Sequence, residues 1–269
     1  MTPTKPLRFA ALFDIHVGWD KRLESGRLVT RPTHNLPAIR TVLRFLEDWQ
    51  PHAVILGGDQ LNCGPISHWN HGKPRLVEGF RLKGELDLLD ELVLSPLHKT
   101  PTKYWHTGNH EVWLNDFLDQ NPSVEGLIEP EEYLRLVKRG WSIFSEGEVS
   151  SIGKLHFVHG DVALRNGRSA RPAKKLVEAY NRSVRAGHLH TYDAYTQSTA
   201  IDRQDYHTGI IVPALASISP AYIKNNPNNF MQGFCFGTVF PDGWFSDYVA
   251  IINKGKFSWN NKVYDGNKS

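Results

Sequence analysis

Cysteine is scarce: Cys63 and Cys235 are the two in 269 residues. That excludes a disulfide framework and makes a reducing, cytoplasmic setting the expectation. Long apolar runs are missing as well. Met1 to Pro6 is short and polar and lacks the apolar core of a signal peptide. No stretch approaches the roughly 20 apolar residues of a membrane span, so no membrane partner is expected. Strong charge of either sign is also absent, the net value being +3. That permits an anionic substrate without requiring nucleic acid. Repeats and low-complexity tracts do not occur. What is there is ordinary globular composition, 40% hydrophobic and 22% charged. Such a length buries a sizeable core, read as one domain over 1–269 with an insertion at about 62–100.

The pattern alternates strands and helices and then turns β-rich. Leu7 to Phe13 is an apolar run that stops at Asp14, as a buried strand does. Asp20 to Pro32 is polar and basic and reads as a loop. Leu36 to Trp49 has helical spacing, with Asn35 as N-cap and Pro37 in the first turn. Ala53 to Leu56 and Lys103 to His106 read as strands, and Leu76 to Leu94 as one long helix ending before Ser95-Pro96. Pro130 to Arg139 reads as a helix stopped by Gly140. Glu148 to Ile152 and Leu155 to Val158 form a hairpin, Pro172 to Tyr180 a helix and Val184 to Ala186 a strand. The β-rich part, about 191–260, holds strand-like runs at Tyr192–Ile201, His207–Val212, Gly233–Phe240, Phe245–Ile252 and Lys256–Trp259. Two packed sheets flanked by helices satisfy this order.

Five strings carry the chemistry: Asp14-Ile15-His16, Gly58-Asp59, Gly108-Asn109-His110-Glu111, His159-Gly160-Asp161 and Gly187-His188-Leu189-His190. Each follows a strand-like stretch. In an α/β sheet, residues at the carboxyl ends of several strands converge in one crevice. Asp14 and His16 are two apart, as are His188 and His190, so each pair faces one side of an extended chain. Asp59 follows two glycines that let the backbone turn closely into the site. Asp, Asn and His suit Mn, Fe, Zn, Ni or Mg, and a shared carboxylate can bridge two ions. Singly, each string is an accident of composition or a turn; together, in order, they define a metal constellation.

These strings resemble the calcineurin-like metallophosphoesterase superfamily, whose pattern is D-x-H, G-D-x-x-D, G-N-H-[DE], a later H and G-H-x-H. The resemblance spans about residues 7 to 190 and implies an α/β fold, a four-layer α/β/β/α sandwich of two mixed sheets with flanking helices. By that resemblance Asp14, His16, Asp59 and His190 hold one divalent metal, and Asp59, Asn109, His159 and His188 a second, manganese being the first expectation. His110 then stands beside the leaving group. Two ions lower the pKa of a bridging water, and the hydroxide attacks a phosphate ester in line. Asn109 and His110 offset charge on the phosphoryl oxygens, and protonated His110 donates to the leaving alkoxide. Glu111 or another carboxylate orients it.

The departures from the pattern bear on substrate. The last Asp of G-D-x-x-D is Asn62, a supporting position, so the metal set survives. Protein phosphatases of the superfamily carry arginines where this chain has Cys63 and Thr107. Without that dianion clamp, a phosphodiester is the favoured substrate, including nucleic acid or nucleotides. A phosphomonoester metabolite is the alternative, and a non-catalytic binding module ranks last because every primary ligand is present. Asp14-Ile15-His16-Val17-Gly18 is similar to the start of the repair-nuclease branch. The segment from His159 to His190, with its basic helix, is similar to small bacterial and phage phosphoesterases.

Other candidates are weaker. His68 and His71, on the loop after Asp59, and Arg165 are candidate substrate contacts. Arg165, Arg168, Arg171, Lys174, Lys175, Arg182 and Arg185 form a basic run that reads as a solvated helix face rather than a nucleic-acid grip. His34 lies in reach of the site in sequence terms. Trp244, Phe245 and Trp259 fit the β-rich core, and Asn225 to Asn229 fits a loop.

Overall fold

The computed structural model describes residues 3–165, 170–198, 200–201, 204–223 and 226–268. Strand β1 (Leu7–Leu12) leads to a hairpin, β2 (Trp19–Glu24) and β3 (Arg27–Pro32), then helix α1 (Leu36–Trp49) and β4 (Ala53–Leu56). Helices α2 (Pro74–Val77) and α3 (Leu82–Leu89) precede β5 (Thr102–His106), α4 (Asn109–Gln120), α5 (Pro130–Tyr133) and β6 (Trp141–Phe144). Strands β7 (Ser150–Ile152) and β8 (Leu155–Val158), helices α6 (Asp161–Leu164) and α7 (Pro172–Tyr180), and β9 (Ser183–Ala186) follow. The chain continues through β10 (Asp193–Ser198), β11 (Tyr206–Ile211), β12 (Gln232–Val239), β13 (Phe245–Ile252), β14 (Lys256–Trp259) and β15 (Lys262–Asp265).

One sheet has the order β13-β12-β1-β4-β5-β6 and the other β10-β11-β9-β8-β7. Both are mixed: β1, β4, β5 and β6 run parallel, while β12 and β13 add antiparallel. In the second sheet β8, β9 and β11 are parallel and β7 and β10 antiparallel. Phe9, Ala11, Phe13 and Ile55 of the first sheet pack against Ile152, Leu155, Phe157 and Val212 of the second. On the outer face of the first sheet lie Ile39, Val42, Phe45 and Leu46 of α1, which pack with Ala10, Leu12, Phe234 and Phe236. Ala173 and Leu176 of α7 cover Val184 and Ile211 on the second. The expected four-layer α/β/β/α sandwich is therefore what forms. Helix α1 begins as its sequence dictates, Asn35 Oδ1 accepting from the Ala38 N–H at 2.9 Å.

Four expectations fail. Asp20 to Pro32 is a hairpin, not a loop: Ser25 and Gly26 both have positive φ, 48° and 82°, which matches the twist of a two-residue turn. One face carries Trp19, Leu23, Leu28 and Pro32, but Lys21 and Thr30 interrupt it and the other face is largely charged, so the alternation is weak against the basic composition. Leu76 to Leu94 is not one helix, because Glu78 leaves helical geometry and Gly79 takes φ 87°. The second piece, α3, runs on as a π-helical turn over Asp90–Leu94. Pro130 to Arg139 holds helix only to Tyr133, since Arg135 takes a left-handed φ of 52°. The basic run is not one solvated face, because Arg185 is 1% exposed and ion-paired in the core. Arg168, Asn225 and position 199 of the Tyr192–Ile201 run lie outside the described residues.

The C-terminal segment serves both sheets. Strands β10 and β11 extend the second sheet, while β12 and β13 close the first beside β1. Phe245 packs on the cluster between the sheets and Trp259 on the one beneath α1, as expected. Both cysteines are buried free thiols. No helix among the described residues is long and apolar enough to cross a membrane.

Candidate metal centre

The ligand-bearing strings follow β1, β4, β5, β8 and β9, whose parallel directions bring their carboxyl ends to one edge of the sandwich. Asp14, His16, Asp59, His188 and His190 all sit in left-handed backbone, with φ of 50°, 50°, 53°, 67° and 58°. Such residues cost about 1–3 kcal/mol each unless surroundings over-determine them. Here a lattice of backbone bonds does so. Asp14 N–H donates to Gly58 O at 3.1 Å, His16 N–H to Asp59 O at 2.9 Å and Met231 N–H to His190 O at 2.8 Å. Gly58, at φ 101°, is needed for space as well: a Cβ there would lie 2.3 Å from the His159 ring.

The side chains form two donor sets that share Asp59. In the first, His16 Nε2 lies 3.1 Å from His190 Nε2, and His190 Nε2 lies 3.6 Å from Asp14 Oδ1. Asp59 Oδ2 is 3.6 Å from His16 Nε2 and 3.4 Å from His159 Nε2. In the second set, Asn109 Oδ1 lies 3.2 Å from His159 Nε2 and 3.0 Å from His188 Nδ1. Metal–ligand bonds of about 2.0–2.2 Å demand donor–donor edges of about 3.0–3.6 Å. The observed separations meet that demand. The groups Asp14–His16–His190, His16–Asp59–His110 and Asp59–His159–His188 could each hold an ion.

The charge balance points the same way. Asp14, Asp59 and Glu111 are all buried; among the described residues the ion-pair partners of Asp14 and Asp59 are histidines, never Lys or Arg, and Glu111 accepts backbone N–H groups. Burial pushes Asp14 well above the usual carboxylate range. Burial works against the charge of Asp59 too, but His159, His110 and His16 around it hold its carboxyl well below that range. Burial opposes a charged His159, yet Asp59 outweighs it and carries this imidazole up to about 10. Burial, and then His110, holds His16 well below its ordinary value. Burial first, with neighbouring charges, takes His190 down to about 3 and His188 to about 4. Neutral imidazoles are the form that binds metal.

Hydrogen bonds fix the tautomers. His159 Nδ1 lies 3.0 Å from Gly57 O, which leaves Nε2 for the pocket. His110 Nδ1 lies 2.8 Å from Asn62 O, so Nδ1 carries a proton and Nε2 faces Asp59 Oδ2 at 3.9 Å. Burial lowers His110, partly offset by Asp59 and the Asn62 carbonyl.

Glu111 does not orient His110. Its carboxylate accepts the N–H groups of Asp59 at 3.1 Å, Leu61 at 2.9 Å and Gly108 at 2.9 Å, and so clamps two site loops together. Burial raises it to about 7. The Asn62 amide points away from His110, its Nδ2 lying 3.5 Å from Trp19 O.

His68 approaches the site indirectly. Its ring meets Trp113 edge-on at 5.2 Å, and Trp113 packs on His110 at 3.9 Å. Trp69 follows at 4.7 Å from His68 and is 66% exposed. His71 is exposed and bonds through its backbone N–H to His68 O. Arg165 pairs with Glu146 and, at 3.5 Å, with buried Asp161. His34 is buried with its Nδ1 3.5 Å from the Gly18 N–H, rather than in the candidate ligand groups found among the described residues. Trp113 and the Asn62 carbonyl are groups against His110 that sequence reasoning missed. Trp113 lies in α4, four residues past Asn109, and that helix went unread.

A sequence model of the family described as calcineurin-like phosphoesterase matches residues 7–205. The chain belongs to this family, and membership supports a hydrolase. No curated protein sequence matches the chain. Among solved structures it is similar to wild-type Vps29 complexed with Zn2+ from Entamoeba histolytica, at 12% identity and TM-score 0.48, over 97% of this chain and 99% of that one. It is also similar to Yfce, a phosphoesterase from E. coli, at 16% identity and TM-score 0.41, over 92% and 100%. A metallophosphoesterase from Sphaerobacter thermophilus gives 15% identity and TM-score 0.43, over 92% and 88%. Identities and scores this low carry no inference about substrate.

Proposed function

We propose that this protein is a phosphodiesterase working with two divalent cations, manganese first among Mn, Fe, Zn, Ni and Mg. The observation that carries this reading is the place of Asp59 Oδ2, shared between the His16 and His159 donor sets. Asp14, His16, Asp59 and His190 would hold one ion, and Asp59, Asn109, His159 and His188 the other. Bound ions would supply Lewis acidity toward the phosphoryl oxygens and a nucleophile at neutral pH. His110 presents Nε2 to the pocket and is the group placed to protonate a leaving alkoxide. Its Nδ1 contact and the Trp113 face fix the ring, so little orientation is lost on reaction.

Support for a diester comes from what surrounds the pocket. Cys63, a buried thiol, and Thr107 carry no positive charge, so neither position offers the guanidinium fork that grips a dianion. The rings from Trp113 through His68 to exposed Trp69 give a ledge that suits an aromatic leaving group, as a nucleoside offers.

The test is turnover of bis-p-nitrophenyl phosphate against p-nitrophenyl phosphate after loading with each metal in turn. Excess diester turnover is expected. Excess monoester turnover selects a phosphomonoesterase, and no turnover of either selects a binding module. In addition, His110→Gln should keep its metal and slow an alkyl diester by about 10²–10⁴-fold. The loss should be smaller with nitrophenolate, which needs little protonation, and equal losses would remove His110 from the acid role.

A further inference from the structure

Glu85 is a buried carboxyl group with no ion-pair partner among the described residues, 0% exposed and outside the metal constellation. It lies in α3, within the segment between β4 and β5. Its Oε2 accepts the Cys63 N–H at 2.7 Å, while Oε1 is buried without a hydrogen-bond partner. On the other side it abuts Gly18, where a Cβ would lie 2.7 Å from Oε1. A glycine at that position is what lets the carboxyl group in.

The Cys63 N–H and the Asn62 C=O belong to one peptide unit. In a trans peptide these two groups point in opposite directions. The Asn62 carbonyl is the acceptor that holds His110 Nδ1 at 2.8 Å. A continuous line therefore runs from Glu85 Oε2 through one peptide to His110 Nδ1, and on to Nε2 at the pocket. Hydrogen bonds in such a chain polarise one another, so an acceptor on the N–H strengthens the carbonyl as an acceptor. The Asn62 side chain is turned to Trp19 O and takes no part.

We propose that Glu85 is a positioning residue for His110, acting through the Asn62–Cys63 peptide. It sets the tautomer and direction of the imidazole without touching substrate or metal ligands. The proposal rests on the reading of His110 as the group beside the leaving oxygen, and its own test has a readout independent of turnover.

The variants are Glu85→Met, which removes the acceptor and keeps volume, and Glu85→Ala as a second should Met not fold. Glu85→Gln keeps an oxygen for the Cys63 N–H. In histidine-labelled protein, nitrogen-edited NMR should show the His110 Nδ1–H exchanging faster in Glu85→Met and recovering in Glu85→Gln. In turnover, Glu85→Met should lose about tenfold in kcat for an alkyl diester and less for a nitrophenyl diester. KM and metal content should hold, and Glu85→Gln should restore most of the loss. In the His110→Gln background, Glu85→Met should add nothing. An unchanged His110 Nδ1–H in Glu85→Met overturns the proposal, as do losses that multiply across the double variant. If His110→Gln alone costs nothing, the acid assignment fails, and the NMR result still decides whether Glu85 positions the ring.

Discussion

Two groups of buried charge lie on either side of β9, and the chain treats them differently. Arg185, inside the strand, meets Asp247 through two contacts, Nε to Oδ2 at 2.6 Å and Nη2 to Oδ1 at 2.9 Å. The Thr208 carbonyl and hydroxyl take further guanidinium hydrogens at 2.8 and 3.0 Å. That cluster is complete: one positive charge, one negative charge and satisfied donors. A few residues on, His188 and His190 face Asp14 and Asp59, where among the described residues the ion-pair partners are histidines rather than Lys or Arg. The first arrangement is structural because it needs nothing more. The second is a candidate metal site because its carboxylates and imidazoles form donor sets that could hold an ion.

The largest break in that comparison is Asp59→Asn. A neutral amide bridges two cations poorly and removes the shared charge. The expected loss of kcat/KM exceeds the roughly 10–100-fold that outer-shell partners of a metal cost. Manganese should raise the Tm of the unaltered protein by mass action and raise that of Asp59→Asn much less. Equal metal-induced shifts in the two proteins would show that Asp59 holds no ion.

Arg185→Leu attacks the complete cluster instead. Removing one partner leaves Asp247 uncompensated and should cost about 3–5 kcal/mol in denaturant unfolding. Metal content per folded chain should not change. A stability loss under about 1 kcal/mol would mean that the pair is already solvated.

Glu85 shows a third solution, in which a buried carboxyl stays neutral. Burial pushes it from its ordinary 4.5 up to about 8. A folded-state value above the unfolded one means that stability is fully present below about 4.5 and is lost as pH rises through about 8. Relative to Glu85→Gln, which cannot ionise, the unaltered protein should lose about 2–3 kcal/mol between pH 6 and 8. Parallel pH profiles for the two proteins would show that Glu85 is not held neutral.

The candidate ligands were legible because each lies in a short string tied to a strand end, and strand ends meet. Asn109 and His159 needed no more than that. Helix α4 was not legible: Asn109 to Gln120 buries only Glu111 and Leu114 fully, so its apolar stripe is thin. Strand β6 hid for a related reason, being four residues at a sheet edge. Arg185 looked like part of a basic face because its partner Asp247 is 62 residues away. Position 62 looked like a side chain in a pattern, whereas its working atom is a backbone oxygen. No residue identity announces that.

The smallest effect is expected at the start of α7, where Lys174 and Lys175 follow the N-cap residue Arg171. Lys174 pairs with Glu178 at 3.4 Å on an exposed face, and Arg171 lies over the Tyr195 ring at 5.7 Å. With Arg185 buried and Arg165 paired to Glu146, the run no longer forms one continuous positive strip. Reversing charge at two positions, Arg171→Glu with Lys174→Glu, should leave aryl diester turnover unchanged. It should also leave the salt dependence of any single-stranded DNA binding within error. A grip on phosphates predicts otherwise: each lost contact lowers the slope of log K against log salt by about 0.7 for single strands, so two contacts lower it by about 1.4. A change of that size would make α7 a nucleic-acid contact and tie the diester reading to a polymeric substrate. An unchanged slope leaves small diesters and nucleotides, and it puts substrate selection on the His68–Trp69 ledge rather than on charge.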